Sequence, residues 1–311
     1  EALAWKLGEP LGTLILTLAV TGIEVMMIAA VMYSAQGHVA LARDAMFAVV
    51  MIVLNGMVGL SLVLGGLRYH EQTYNLQGAN AFLAVIVPLA VLGLILPTFT
   101  VSTPGPTLSS TQSVFLIVMS VALYGVFLAI QNLRHKDYFI LPVPDPLDIP
   151  ARSIPLPTHG FHSIAYHLCL LGAYLLPLAV LSKQLAIPIN HGIHVLHAPP
   201  ALGGLLVAIL ILSPESMSAV RAALANELQR SVNILLGSVL ATISLTIPAV
   251  LVIGFITEQH VILGLDPVDI ILLTLTLGLS TLTFASARTN VLLGAVHLLL
   301  FFAYLMLVFE K

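Results

Sequence analysis

The sequence predicts an all-α polytopic membrane protein, and three observations carry that reading. Of 311 residues, 59% are hydrophobic and only 8% charged, where ordinary soluble domains carry about a quarter charged residues. Nine windows stay apolar over the roughly 20 residues that a membrane-crossing helix needs. These windows are unbroken runs rather than alternating segments of about ten residues, which excludes a transmembrane β-barrel.

The windows cover 11–34, 44–66, 79–99, 112–131, 161–182, 198–220, 230–256, 267–285 and 289–309. Turn chemistry such as Thr103-Pro104-Gly105-Pro106 separates most of them. The longest connection, 132–160, holds Arg134, His135, Lys136, Asp137, Asp145, Asp148 and Arg152 among several prolines. It reads as an exposed, mobile linker between two halves, 1–131 and 161–311. The chain starts at Glu1 without a signal-peptide pattern, so native upstream sequence is expected to be missing or removed. A net charge of −3 with 11 Lys and Arg excludes nucleic-acid partners. Cys169 is the single cysteine, which excludes an intramolecular disulfide or a Cys-based zinc site.

Alternating sides through the nine windows sorts the basic residues. Lys6, Arg68, Arg134, Lys136, Arg152, Arg221, Arg230 and Arg288 fall on the side of residue 1; Arg43, Lys183 and Lys311 fall on the other. By the positive-inside rule, Glu1 and the 132–160 loop are cytoplasmic and Lys311 is outside.

Two acids sit where acids are costly. Glu24 lies midway along the first window, and Glu215 follows the apolar run Leu205–Leu212 in Ser213-Pro214-Glu215-Ser216. A charge at the bilayer centre costs about 2.5–3.5 kcal/mol on insertion scales. Either acid is explained structurally as a protonated, helix-packing Glu or one near an interface. The neighbours favour function instead. Thr13, Thr17, Thr21 and Glu24 recur at helical spacing and form one polar stripe. Pro214 removes a backbone donor, which predicts a freed carbonyl and a broken helix lining a cavity. Carboxylate, hydroxyl and carbonyl oxygens suit hard cations such as Na⁺, K⁺ or Ca²⁺.

Arg43 through Leu64 can be laid on Arg230 through Leu251 with a shift of 187, matching Asn55 to Thr242 and Leu54 to Ala241. Each half then shows an acidic helix, a short turn, an Arg and a helix with small and polar residues. The acidic helices lie an odd number of spans apart and so run in opposite directions. That predicts two inverted-topology five-helix repeats whose carboxylates meet near the midplane. The first repeat shows only four windows, so its first helix is expected to be missing before residue 1.

Several segments together resemble one family. They are Leu7-Gly8-Glu9-Pro10 before the Glu24 helix, Arg43-Asp44 leading to Met51–Gly56, and Leu212-Ser213-Pro214-Glu215. Further on come Gly237–Pro248, Arg288-Thr289-Asn290-Val291 and His297. With them the chain is similar to the calcium/cation antiporter superfamily, in its cation/proton exchanger branch, and most like the bacterial sodium (potassium, calcium)/proton antiporters of the ChaA type. The resemblance implies cation/proton exchange in the bacterial inner membrane, with no cofactor. It gives Glu24 and Glu215 the cation- and proton-binding roles and puts Asn55 and Ser238 on the polar positions of the paired helices. The family's G-N-x-x-E motif is altered, with Val20 and Thr21 in the first repeat and Ile211 and Leu212 in the second, and Met51 stands where a Ser is usual. Fewer amide oxygens predict broad cation selectivity. Thr21, Ser213 and Thr242 complete the expected ligand set.

His191, His194 and His197 form an H-x₂-H-x₂-H loop that suits Zn²⁺ as well as plain solvation. His297, inside the last window, is a candidate proton relay or a packed histidine. Asn233, Gly237, Ala241 and Ser244 form a small-polar stripe that close helix packing explains. Two rival classes remain at this point: a haem or quinone oxidoreductase using His167 and His297, and a cation channel. No H-E-x-x-H or G-x-S-x-G is present. The expected partners are inorganic cations, protons and membrane lipid; oligomeric state is not legible.

Overall fold

A computed structural model describes residues 11–33, 40–140 and 201–310, together with scattered positions between 163 and 199. Helices dominate it. α1 is Leu11–Tyr33. α2 is Leu41–Met51, continued through a π-helical segment Ile52–Met57 into Val58–Tyr69. α3 is Leu76–Ala90, passing through Val91–Ile95 into Leu96–Phe99. α4 is Ser110–Ala129, extended by Ile130–Arg134. α5 is Ala201–Leu224. α6 is Leu228–Ala241, passing through π-helical Thr242–Thr246 into Ile247–Thr257. α7 is Pro267–Thr283 and α8 is Val291–Glu310. Two short strands, β1 (Gln72–Thr73) and β2 (Arg288–Thr289), pair antiparallel. Among the described residues six helices, α2 to α6 and α8, are long and apolar enough to cross a membrane; α7 is shorter at 17 residues. The 161–182 window lies largely outside the described residues.

Local chemistry sets the boundaries. Asn75 accepts from the Gln77 N–H at the start of α3, and Ser109 with Gln112 forms a reciprocal capping box at the start of α4. Pro267 opens α7, where its missing N–H costs nothing. The π-helical segments of α3 and α6 each end just before a proline, Pro97 and Pro248. A proline removes one backbone donor and crowds the preceding turn, and the wider π turn absorbs both effects.

Burial separates centre from rim. Of the apolar windows, 78% of α2 and 67% of α6 are buried, against 28% of α4 and 22% of α8. α8 nonetheless meets α2 closely along glycines. A Cβ added to Gly294 would lie 2.7 Å from the Val63 nitrogen and 2.8 Å from the Gly59 carbonyl oxygen. Between apolar helices in lipid, such backbone approach supplies the packing contact.

One expectation is corrected. The helix carrying Pro214 is not broken: α5 runs through it. The carbonyl that Pro214 leaves without a donor is that of Leu210, and the Ser213 hydroxyl donates to it at 2.9 Å. The described start of the linker is largely exposed, at Leu133, Arg134, Lys136, Asp137 and Ile140, but it is ordered and anchored. Lys136–Phe139 forms a 3₁₀ turn, and Phe139 is buried edge-on against Phe82 and Phe127. An aromatic ring in a polar stretch gains more from apolar burial than the turn loses. Residues 141–160 lie outside the described set.

The seam gives a stability expectation. Gly294→Val forces overpacking worth about 1–3 kcal/mol, so the melting temperature in detergent should fall. Gly278→Ala, where an added Cβ meets nothing within 4 Å, should leave it unchanged or slightly raised.

Candidate functional site

Glu24 on α1 and Glu215 on α5 are both 2% exposed. The helix that satisfies them is α6. Ser238 Oγ donates to Glu215 Oε2 at 2.6 Å, and Thr242 Oγ1 donates to Glu24 Oε2 at 2.8 Å. Four residues apart, Ser238 and Thr242 share one face of α6. One helix therefore holds both acids, and they lie within electrostatic reach of each other. Each carboxyl group keeps its other oxygen, Oε1, buried and without a hydrogen-bond partner. Thr21 is buried one turn before Glu24. The four oxygens of two carboxyls, two of them open, with hydroxyls alongside, form a hard donor set.

A second buried polar cluster lies between α2, α7 and α8. Asn55, on the π-helical segment of α2, donates through Nδ2 to Thr276 Oγ1 at 2.7 Å and lies 3.6 Å from Met51 Sδ. His297 Nδ1 lies 3.3 Å from Asn55 Oδ1, and His297 Nε2 lies 2.9 Å from Thr283 Oγ1. All of these residues are buried. Among the described residues no hydrogen bond joins this cluster to the carboxyl pair.

The sequence-predicted residues thus separate. Glu24, Glu215, Ser238 and Thr242 come together, with Thr21 buried on the same helix as Glu24. Asn55 and His297 belong to the second cluster, with both Asn55 amide hydrogens engaged. Ser213 is exposed and occupied with Leu210, so neither it nor the freed carbonyl faces the acids. The side chains of Thr13 and Thr17, and the whole of His191, His194 and His197, lie outside the described residues. Both ring nitrogens of His297 are taken by Asn55 and Thr283, which disfavours it as a haem ligand opposite His167. Sequence reasoning missed Thr276 and Thr283. The signal was present, since Thr276, Ser280 and Thr283 recur at spacings of four and three on α7, and all three are fully buried.

The two ends of the bundle are tied differently. At one end, Gln72 donates to the Ala223 carbonyl at 2.8 Å and to Asn226 at 3.0 Å, and Tyr69 donates to the Leu224 carbonyl at 2.8 Å. There, too, Gln229 donates to Asn233 at 2.9 Å, and Asn233 donates to the Phe139 carbonyl at 2.6 Å. At the other end Arg43 bonds Asp44 at 2.8 Å and the Gly264 carbonyl at 3.1 Å.

Comparison with known proteins gives a consistent picture. The family described as sodium/calcium exchanger protein matches residues 2–133 and 166–310. A putative ionic transporter, y4hA, of Sinorhizobium fredii (strain NBRC 101917 / NGR234) is 42% identical over 308 residues, covering 99% of this chain and 82% of its own. The sodium-potassium/proton antiporter ChaA of Escherichia coli (strain K12) is 39% identical over 312 residues, covering 99% of this chain and 83% of its own. Among solved structures, the selenium-substituted Ca²⁺/H⁺ antiporter YfkE aligns with a TM-score of 0.70 at 19% identity, over 99% of this chain and 88% of that one. The H⁺/Ca²⁺ exchanger CAX aligns at 0.68 and 15% identity, over 98% and 76%. At such identities these structures bear on the fold alone.

The second cluster is testable by itself. His297→Phe leaves the Asn55 carbonyl oxygen and the Thr283 hydroxyl buried without their partner, at about 1–3 kcal/mol for each unsatisfied group. A clear drop in thermal stability in detergent is expected. An unchanged melting temperature would show that the cluster does not hold α2, α7 and α8 together.

Proposed function

Since the chain belongs to the sodium/calcium exchanger protein family, we propose that it is a secondary active transporter exchanging a cation (Na⁺, K⁺ or Ca²⁺) for protons. The observation that carries this reading is the Glu24–Glu215 pair held by Ser238 and Thr242 of one helix. A carboxylate buried at membrane depth needs a proton or a cation to neutralise it. Both ligands seek the same oxygens, so one displaces the other, and that competition is the coupling. No resident cofactor enters the cycle.

Access alternates by rocking of two inverted repeats, 1–131 and 161–311, about this site, with 132–160 as the linker between them. Under the offset of 187, Met51 and Asn55 are the first-half counterparts of Ser238 and Thr242. They pair with Thr276 and His297 rather than with an acid, so the second half supplies the hydroxyls for both carboxyls. His297, bonded to Asn55 and Thr283, is the candidate proton relay, and a water would have to link it to the carboxyl pair. The membrane is the bacterial inner membrane, with the 132–160 side cytoplasmic and Lys311 outside. The laced end of the bundle, at Gln72 and Asn226, is then the cytoplasmic one.

The donor set also bears on the choice of ion. Ca²⁺ takes about 6–8 oxygens. Two carboxyls, counted as four oxygens, and two hydroxyls reach only the lower end of that number, without the amide oxygens that strengthen such a site. Na⁺ and K⁺ accept so weak a field, and the transporter is accordingly broad in selectivity.

Inverted vesicles loaded with a pH-sensitive dye test the site. Glu24→Gln and Glu215→Gln each abolish cation-dependent dye recovery; retained exchange in Glu215→Gln defeats the two-carboxyl site. In the unsubstituted protein Na⁺, K⁺ and Ca²⁺ should all elicit recovery. The response should grow from neutral to alkaline pH, because protons are the competing ligand. A response to Ca²⁺ alone refutes broad selectivity. For orientation, Asp145→Cys in a Cys169→Ala background should label only from the cytoplasmic face of intact cells. Labelling from outside reverses the topology.

A further inference from the structure

Thr246 stands one step beyond Thr242 on α6, so Ser238, Thr242 and Thr246 form a ladder at intervals of four residues. The first two rungs each bond a carboxyl group. The third is fully buried, and its hydroxyl makes no bond of comparable length. It lies beside the Glu24 carboxyl, near enough to interact with it as a long side-chain hydrogen bond, and neither Thr246 Oγ1 nor Glu24 Oε1 has a shorter bond to a described residue. A polar group buried in this way is costly unless a partner satisfies it.

An ordinary helical threonine avoids that cost by donating to the carbonyl four residues back. Thr257, Thr274 and Thr281 do so here, to Ile253, Ile270 and Leu277, each at 2.8 Å. Thr246 does not. It closes the π-helical segment Thr242–Thr246, whose wider turn shifts the backbone carbonyls from their α-helical positions. The hydroxyl is left beside the Glu24 carboxyl, within reach of a cation that this carboxyl would hold. The first half offers no equivalent: the offset of 187 pairs Thr246 with Gly59, which is packed against Gly294.

We propose that Thr246 is a third hydroxyl ligand for the transported cation, acting on the Glu24 side of the site through its Oγ1. This rests on the two-carboxyl reading of Glu24 and Glu215. A neutral hydroxyl oxygen adds to the field of a hard cation while binding no proton in exchange, so it tunes cation affinity without altering the coupling.

Dye-loaded vesicles carrying Thr246→Val, Thr246→Ser and Glu215→Gln separate the possibilities, with Na⁺, K⁺ and Ca²⁺ as probes. Thr246→Val keeps the volume and removes the oxygen. It should raise the half-saturating cation concentration about tenfold, equivalent to about 1.4 kcal/mol, with the maximal rate nearly unchanged. Thr246→Ser should restore the original value. Unchanged half-saturation in Thr246→Val, with exchange abolished in Glu215→Gln, overturns the role of Thr246 and leaves the carboxyl site standing. A Thr246→Ser variant as impaired as Thr246→Val points to the methyl group and packing, and overturns it as well. Retained exchange in Glu215→Gln removes the reading on which the proposal rests.

Discussion

Burying a carboxyl group among apolar helices is the constraint around which this protein is arranged. Water would solvate such a group with several hydrogen bonds; here Glu24 and Glu215 receive one each, from Thr242 and Ser238. Both donors belong to α6, so the position of that helix decides whether either acid is satisfied. The structure accordingly fixes α6 well away from the site. Gln229 in its first turn accepts from the Asn75 N–H and donates to Asn233, which reaches the Phe139 carbonyl. The buried Phe139 and the glycine at Gly78, over which the Tyr138 carbonyl passes, belong to the same support.

The two central helices do different work despite their likeness in sequence. α2 carries Met51, Asn55 and Gly59 where α6 carries Ser238, Thr242 and Thr246. The α2 set faces protein: a thioether and an amide bonded to α7 and α8, then a glycine that lets α8 approach. The α6 set faces the acids. Such division concentrates the open oxygens on one side and rigid packing on the other. It suits a site that must exchange ligands without losing its framework. π-helical turns fall within both helices, at Ile52–Met57 and Thr242–Thr246, and in each they turn a polar side chain out of the regular helical register.

The helices themselves were legible because their signal is local. The window 44–66 became Leu41–Tyr69, and 230–256 became Leu228–Thr257, since twenty apolar residues bounded by capping and turn chemistry need no knowledge of distant partners. Glu24 and Glu215 were legible for the same reason, as charges in runs that contain almost none. Pro214 shows where local reasoning stops. The lost donor is legible there, but the helix is not broken, and whether the Leu210 carbonyl lines a cavity depends on the direction of one hydroxyl, Ser213, three residues along the helix.

Composition and periodicity determined that this chain is helical and membrane-embedded, and which residues are too polar for their surroundings. They could not determine the pairings among those residues, because a hydrogen bond between Thr242 and Glu24 joins positions 218 apart and leaves no mark in either local pattern. Only the packing of α6 between α1 and α5 decided that its hydroxyls meet the two acids. Only the packing of α7 and α8 decided that Asn55 and His297 turn to each other. The sequence can show that a polar side chain needs a partner; which partner it finds depends on the relative placement of whole helices, which no single segment encodes.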